Sequence, residues 1–349
     1  MSLSHLAFLA PGNYDEDNAS NGLEEHLQLF AHGEALGFDS AWVRQRHLER
    51  SVSSAATFLA AASQRTRAIG LGVAVLQMGY ENPFRLAEDL STVDALSRGR
   101  LQVGLSAGAP PFGPLLGERL FDGNPDTVDF SHARVARLRA NLSGELLGDE
   151  SVLLQSPAGE QRPRLRPHAP GLDTRLWYGA GSLRSATWAG SQGFHLLIGN
   201  LTAGEDTDDF HTAQQRQLAA YRDRWTQAHR PRVALGRVIV PLDSADTVSR
   251  RNYLAFAQSR RERTFAPQGE RRTVFAPDLV GSSDEILEAL HADPVLREVS
   301  ELRLELPYSL PHEDYRQILA DVRDRIAPAL GWKAAGLTRP ADQNAAHTA

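Results

Sequence analysis

Cysteine is absent from the 349-residue sequence. Disulfide bonds, thiolate metal sites and thiol catalysis are therefore excluded. The sequence also lacks any run of about 18 apolar residues, so no transmembrane helix is predicted. The N-terminal stretch has no basic leader before its short apolar segment, which argues against a signal peptide. Together these absences predict a cytoplasmic protein without a membrane partner.

Lys and Arg are also outnumbered by Asp and Glu, so the formal net charge is −6 at pH 7. A nucleic-acid-binding face usually appears as an excess of Lys and Arg, so no nucleic-acid partner is expected. The histidines show no HExxH or comparable spacing, so no metal site is predicted. Glu305 lies in an apolar run, but the sequence places no second carboxylate with it to form a glycosidase pair.

The sequence does contain a series of short apolar runs, separated by longer segments of helical period. Most of these runs are nearly continuous, which is typical of parallel strands covered on both faces. Eight strands are predicted, at residues 5–10, 40–44, 68–76, 101–106, 175–180, 194–199, 233–240 and 301–306.

Amphipathic segments between these runs predict helices at residues 23–36, 83–97, 283–291 and 311–327. Gly37 follows the first as a stop signal, Pro83 begins the second, and Pro328 follows the last. Eight βα repeats fit a closed (β/α)8 TIM barrel better than the alternative, an open doubly wound sheet. We expect one domain over residues 1–333 and a disordered tail over residues 334–349.

Three stretches interrupt the βα pattern. Residues 107–130 are rich in Pro and Gly and follow the fourth strand, so in a barrel this loop lies at the catalytic face. Residues 148–174 are predicted to hold a short hairpin. Residues 243–275 form a strongly basic insertion after the seventh strand, and three interpretations stay open: a mobile lid, an anion-attracting loop and a solvated insertion.

Two clusters carry candidate chemistry. Arg46 and His47 follow the second strand, whose end lies at the active face of a barrel. His47 is suited to relay a proton near neutral pH, and Arg46 to hold an anion. The alternative is an ordinary surface loop.

The second cluster is a turn of small residues after the fifth strand. It comprises Gly179, Ala180, Gly181, Ser182 and Ser185, with Arg184 between the two serines. Small residues let a phosphate approach the backbone, and a helix N-terminus supplies N–H donors. The alternative is a tight turn with Ser182 as a helix cap. Gly70 and Gly72, in the third strand, indicate either a close backbone approach to a ligand or tight packing.

Several segments resemble the luciferase-like flavin monooxygenases. GFDSAWVRQRHLE and TRAIGLGVAVLQMGYENPFRLAEDLSTVDALSRGRLQVGLSAG are similar to the N-terminal half of that family. GAGSLRSATWAGSQG, at residues 179–193, resembles its phosphate-binding turn, and DLVGSSDEILEAL and PALGW resemble its C-terminal end. The resemblance covers residues 3–333, with looser matches over 107–175 and 241–275.

The resemblance implies a barrel that binds flavin mononucleotide (FMN) at its C-terminal mouth. Reduced FMN from a separate flavin reductase would react with O2 to oxidise a small organic substrate. A deazaflavin-dependent oxidoreductase and a non-catalytic flavin-binding or partner subunit are the alternatives. A homodimer packed through helices near the second and third strands is also implied.

Carried over residue by residue, the resemblance implies several cofactor contacts. Ala74 and Val75 match the strand end against the isoalloxazine, where relatives have a non-proline cis peptide. Gln77 and Ser106 end the third and fourth strands beside it. Gly181, Ser182 and Ser185 match the phosphate turn, with Gly179 and Ala180 leading into it.

Two departures from bacterial luciferase stand out. Luciferase has paired histidines after its second strand; the catalytic one falls on Arg46 here, and only His47 matches the second. Its phosphate-contacting arginine after the fourth strand corresponds to Ala107. Light emission from a long-chain aldehyde is therefore not expected, and Arg184 or the basic insertion is the candidate source of the missing charge.

Overall fold

A computed structural model describes residues 2–308 and 310–334. Eight parallel strands form a closed barrel in which each strand pairs with the next and the last pairs with the first. The TIM barrel and all eight predicted strands are confirmed, and the open doubly wound sheet is excluded. The strands are β1 (His5–Ala10), β2 (Ser40–Val43), β3 (Gly70–Gln77), β4 (Leu101–Ser106), β5 (Leu176–Gly179), β6 (His195–Ile198), β7 (Val233–Arg237) and β8 (Glu301–Glu305).

Helices follow the strands and cover the outside of the barrel. They are α1 (Ala19–Ala35), α2 (Ala55–Arg65), α3 (Pro83–Ser97), α4 (His132–Leu142), α5 (Leu183–Gln192), α6 (Phe210–Asp223), α7 (Thr247–Arg261), α8 (Ser283–Ala292) and α9 (His312–Asp321). The predicted boundaries hold well for α3, where Pro83 is the first helical residue and the Asn82 side chain caps the helix. Gly37 follows α1 with a φ of 83°, a left-handed conformation that suits glycine.

The predicted seventh strand, 233–240, is divided in two. β7 ends at Arg237, and Ile239–Pro241 leaves the barrel to pair in parallel with Leu279–Gly281. The segment 243–275 is an insertion, as predicted. It is not irregular throughout, because it contains α7. Tyr253 is the one fully buried residue of this polar helix, so apolar periodicity did not reveal it.

Two short antiparallel pairs lie outside the barrel. The predicted hairpin in 148–174 is present as Leu154–Ser156 paired with Gly159–Gln161. Leu201–Ala203 pairs with Thr273–Phe275, which ties the end of the insertion to the segment after β6. The predicted tail lies outside the described residues from 335 onward. Among the residues described, no helix is both long and apolar enough to cross a membrane.

Aromatic side chains fill the centre of the barrel. The rings of Trp42 and Trp177 meet edge to face with centroids 5.8 Å apart, and both side chains are buried. Gly72 on β3 faces Trp42, and a Cβ there would lie 2.2 Å from the indole Cδ2 atom. The glycine in this strand is therefore required by packing, which was one of its two predicted interpretations.

Candidate functional site

The carboxyl ends of the strands surround a mouth, and one side of it holds a cavity of about 690 Å³. Five predicted cofactor-binding residues line this cavity together: Ser106, Gly179, Gly181, Ser182 and Ser185. The other four, Ala74, Val75, Gln77 and Ala180, do not line it, and the Ala180 side chain is buried. The residues predicted at the ends of two neighbouring strands, β4 and β5, therefore line one cavity.

The turn after β5 is built by a reciprocal cap of α5. The Ser182 hydroxyl accepts the Ser185 backbone N–H at 3.2 Å, and the Ser185 hydroxyl accepts the Ser182 N–H at 3.1 Å. The next N–H, that of Leu183, donates to the Glu205 carboxylate at 2.8 Å. The cap interpretation of Ser182 is thus correct, and both serines also line the cavity.

The cavity has a net positive lining. Arg184 and Arg271 are the arginines in its wall, and Glu205 is its carboxylate. His132 also lines it, and burial, helped by Arg184, lowers the pKa of this imidazole and favours its neutral form. Ala107, which the resemblance aligns with the luciferase arginine, also lines this cavity, and so do residues from both predicted sources of replacement charge, Arg184 and the insertion's Arg271.

The end of β3 has an unusual backbone. The peptide bond between Ala74 and Val75 is cis, as the resemblance implied. Pairing with β4 shifts register between Val73 and Leu76, then resumes with Gln77 opposite Ser106. Val75 packs against Gly179 of β5. A Cβ atom added to Gly179 would lie 3.0 Å from the Cγ1 atom of Val75.

Residues after β2 alternate between two sides of the mouth. The His47 ring stacks on Tyr80 with centroids 3.9 Å apart, on the β3 side. Gln45 faces the same way and contacts both His47 Nε2, at 3.0 Å, and Glu81, at 3.2 Å. Arg46 turns to the opposite side, so the structure does not bring the two predicted catalytic residues together.

The hydrogen bonds of Gln45 define the protonation of His47. Its Oε1 accepts the Ala55 N–H at 2.8 Å and its Nε2 donates to Glu81, which fixes the orientation of the amide. The same amide nitrogen therefore donates to His47 Nε2, and the imidazole proton resides on Nδ1. Burial lowers the pKa of His47, so the ring is neutral near neutral pH with one N–H to donate.

On the opposite side of the mouth, Arg46 lies with Arg44 and Tyr308, two residues that the sequence did not single out. Arg46 donates to the Tyr308 hydroxyl at 3.0 Å, and Arg44 pairs with Glu305 at 2.9 Å. Burial alone would raise the pKa of Glu305, but Arg44 and Arg303 outweigh it and hold the pKa below its usual value. The pattern Arg44–Gln45–Arg46 after a strand was the available signal, because alternate residues share a side.

A larger cavity, of about 870 Å³, lies beside this arginine cluster. It is lined mainly by polar residues from α1 and from the loops after β1, β2 and β8, including His26, Asn13 and Tyr308. None of the predicted site residues lines it. The predicted cofactor-binding residues therefore line the smaller of these two cavities, which also carries two arginines in its wall.

Comparison with known proteins agrees with these features. The family model for luciferase-like monooxygenases matches residues 1–301. Limonene 1,2-monooxygenase of Rhodococcus erythropolis is 38% identical over 104 residues, which are 29% of this chain and 27% of that protein. 4-Hydroxyprotoasukamycin monooxygenase of Streptomyces nodosus subsp. asukaensis is 32% identical over 111 residues, 31% of this chain and 30% of that protein. Each match spans less than a third of the relative's length.

Solved structures share the fold over nearly the whole chain. A monooxygenase from Streptomyces bottropensis has a TM-score of 0.67 and 20% identity, covering 93% of this chain and 99% of that one. The oxygenating constituent of 3,6-diketocamphane monooxygenase from Pseudomonas putida, solved with FMN, has a TM-score of 0.64 and 14% identity, covering 94% and 99%. An F420-dependent secondary alcohol dehydrogenase has a TM-score of 0.62 and 16% identity, covering 95% and 100%.

At these identities the solved structures show the common fold alone. The family match is broader evidence, since it extends over most of the sequence, including β2, the cis peptide and the turn before α5. The chain therefore belongs to the luciferase-like monooxygenase family of oxidoreductases.

Proposed function

We propose that the chain is a two-component monooxygenase that uses reduced FMN and O2 to oxidise a small organic substrate. The observation that carries this proposal is the positively lined cavity at the ends of β4 and β5. It combines serine hydroxyls, two arginines and the start of α5, all suited to a phosphate. A Cβ at Gly181 would meet nothing within 4 Å, so the backbone there is open to a ligand.

In this proposal, Ser182 and Ser185 bind the phosphate with their hydroxyls, and Arg184 and Arg271 neutralise its charge. Glu205 must turn away from the Leu183 N–H or be offset by the arginines, because a carboxylate repels a phosphate. Ala74, Val75, Gln77 and Ser106 form the wall beside the ring system. Reduced flavin, when bound, supplies the electrons that activate O2.

His47 and Arg46 have different proposed roles. His47 donates the proton on Nδ1, while the Gln45 amide holds its Nε2 and the Tyr80 ring fixes its plane. Arg46 cannot act as a base, because a guanidinium stays protonated. It binds negative charge on the other side of the mouth, where Tyr308 orients it.

The decisive experiment compares cofactors. The purified chain is titrated with FMN, riboflavin and F420, then each reduced complex is mixed with O2 and a metabolite extract, with product and peroxide both quantified. We expect FMN to bind at least about tenfold more tightly than riboflavin, since the phosphate contributes more than about 1.4 kcal/mol. Product must depend on both O2 and reduced FMN.

The same experiment tests the alternatives. Substrate turnover with F420 and without O2 would identify a deazaflavin-dependent oxidoreductase instead. Flavin binding without any product would identify a non-catalytic subunit, which the replacement of the luciferase histidine by Arg46 favours.

We also propose the homodimer. On α3, Phe84 is 41% exposed and Leu96 is 49% exposed, which leaves apolar surface near β3 for a second copy. Light scattering of the purified chain tests this directly, and a monomer at micromolar concentration would contradict it.

A further inference from the structure

The β2–β8 side of the barrel mouth has a surplus of guanidinium groups. The Cζ atoms of Arg44 and Arg46 lie 5.2 and 5.8 Å from the Tyr308 ring centroid. Arg44 is paired with buried Glu305. Among the described residues, the carboxylate paired with Arg46 is that of Glu49, at 3.6 Å. The two side chains are 38% and 47% exposed, so this contact is weak.

A third cation lies directly beneath. Arg303 is fully buried, and its nearest carboxylate oxygen, on Glu305, is 3.7 Å away. Its Nε and Nη1 atoms have no hydrogen-bond partner among the described residues, and neither does Nε of Arg44. The buried Glu305 carboxylate is therefore shared by Arg44 and Arg303. Arg46 has the weak contact with Glu49 instead. Positive charge accumulates here although the chain as a whole has a net charge of −6.

We propose that Arg44, Arg46 and Tyr308 form an oxyanion-binding subsite, and that the substrate carries a carboxylate or sulfonate group. A guanidinium matches the planar, two-oxygen geometry of such a group, and the Tyr308 hydroxyl holds Arg46 in position. That the bound anion is a substrate rests on the proposed monooxygenase function. Binding of the anion itself does not depend on that function, because no residue of the subsite lines the phosphate cavity.

Because the residues after β2 alternate between the two sides of the mouth, the subsite also orients a bound ligand. Arg44 and Arg46 hold the anionic end on the β8 side, whereas His47 and the Ala74–Val75 peptide lie on the β3 side. A substrate anchored by its anion therefore extends its uncharged part toward β3, where the oxidation is proposed. The subsite selects the class of substrate and also orients it.

The test is direct binding without flavin. Ligand-observed NMR titrations use hexanoate and hexanesulfonate as probes, with 1-hexanol as the matched neutral ligand. We expect both anions to bind more tightly than the alcohol, and Arg46→Gln to weaken them at least about tenfold while hexanol binding is unchanged. Arg46→Lys keeps the charge and should retain part of the affinity, and Tyr308→Phe should lose less than Arg46→Gln.

Two control variants locate the probe. Arg50→Gln removes an exposed guanidinium from the same loop, 3.8 Å from Glu16, and should leave anion binding unchanged. Ser182→Asp alters the phosphate cavity and should also leave it unchanged. Thermal unfolding checks that each variant is folded, which is expected for Arg46 because it is only half-buried.

Several results would overturn the subsite. Equal anion affinity in wild type and Arg46→Gln would do so, and so would loss of binding in Ser182→Asp alone, which would locate the probes in the phosphate cavity. Failure of FMN to bind, with anion binding still dependent on Arg46, would refute the proposed cofactor and leave the subsite intact.

Discussion

Replacing Ser182 by aspartate tests the phosphate cavity without removing the helix cap. Asp and Ser are comparably good N-caps, and a carboxylate is favourable at the positive end of a helix, so α5 should remain stable. The new charge would lie in the cavity wall that we assign to the phosphate. The variant therefore separates binding from folding.

The magnitude follows from the geometry. Two unit charges about 4 Å apart repel by about 1 kcal/mol in bulk water and about 4 kcal/mol near a protein surface. With a phosphate charge of about −1.5 to −2, even the lower value gives about 1.5 to 2 kcal/mol, so FMN affinity should fall at least about tenfold. The assay is flavin fluorescence titration at low and high ionic strength, and salt should reduce the difference.

A matched control comes from the other end of the same helix. Ser191→Asp adds the same charge nine residues away, about 13 Å along α5, which exceeds a Debye length of about 8 Å at physiological salt. It should leave FMN affinity nearly unchanged. Equal affinity of wild type and Ser182→Asp would remove this turn from the cofactor site and refute the assignment.

Three further predictions concern catalysis, packing and pH. His47→Ala should lower single-turnover product yield at least about tenfold while FMN binding changes little; an unchanged yield would make His47 a loop residue only. Gly72→Ala should destabilise the fold by about 1–3 kcal/mol or more in chemical denaturation, because its Cβ would lie 2.2 Å from the Trp42 ring, whereas Gly113→Ala, with no neighbour closer than 3.5 Å, should not. Burial lowers the pKa of His26 to about 4 from its usual 6.5, so the unfolded chain binds the extra proton between these values. The free energy of unfolding should therefore fall as pH decreases from 6.5 to 4, by up to about 1.4 kcal/mol per pH unit more in wild type than in His26→Gln; identical slopes would contradict this.

The barrel was predictable because its strands are covered on both faces. Each strand then appears as a continuous apolar run, and Gly, Pro and capping residues mark the helices between them. The helix α7 escaped detection for the opposite reason. With one fully buried residue and several arginines, it lacks the apolar stripe on which such predictions depend.

Within the turn after β5, the candidate site could be predicted from residues close in sequence, whereas Ser106 was predicted from the family resemblance. Gly181, Ser182 and Ser185 belong to one turn, and local chemistry identified them. Arg271 reaches that turn from the insertion, and Tyr308 meets Arg46 across 262 positions of the chain. No local pattern encodes such contacts, because they arise when the barrel closes and brings distant strand ends together.

The parallel pair formed by Ile239–Pro241 and Leu279–Gly281 matters for how the insertion can be altered. It joins the two ends of the insertion, so the 37 residues from 242 to 278 leave and re-enter the barrel at neighbouring points. The entropy of closing such an excursion depends only weakly on its length. Changing the length of its exposed part should therefore disturb the barrel strands little, provided that buried Tyr253 and the pairing of Thr273–Phe275 with Leu201–Ala203 are kept. Such a change would alter the cavity wall that includes Arg271. The paired segments Ile239–Pro241 and Leu279–Gly281 are therefore a suitable boundary for exchanging the insertion in an engineered chain.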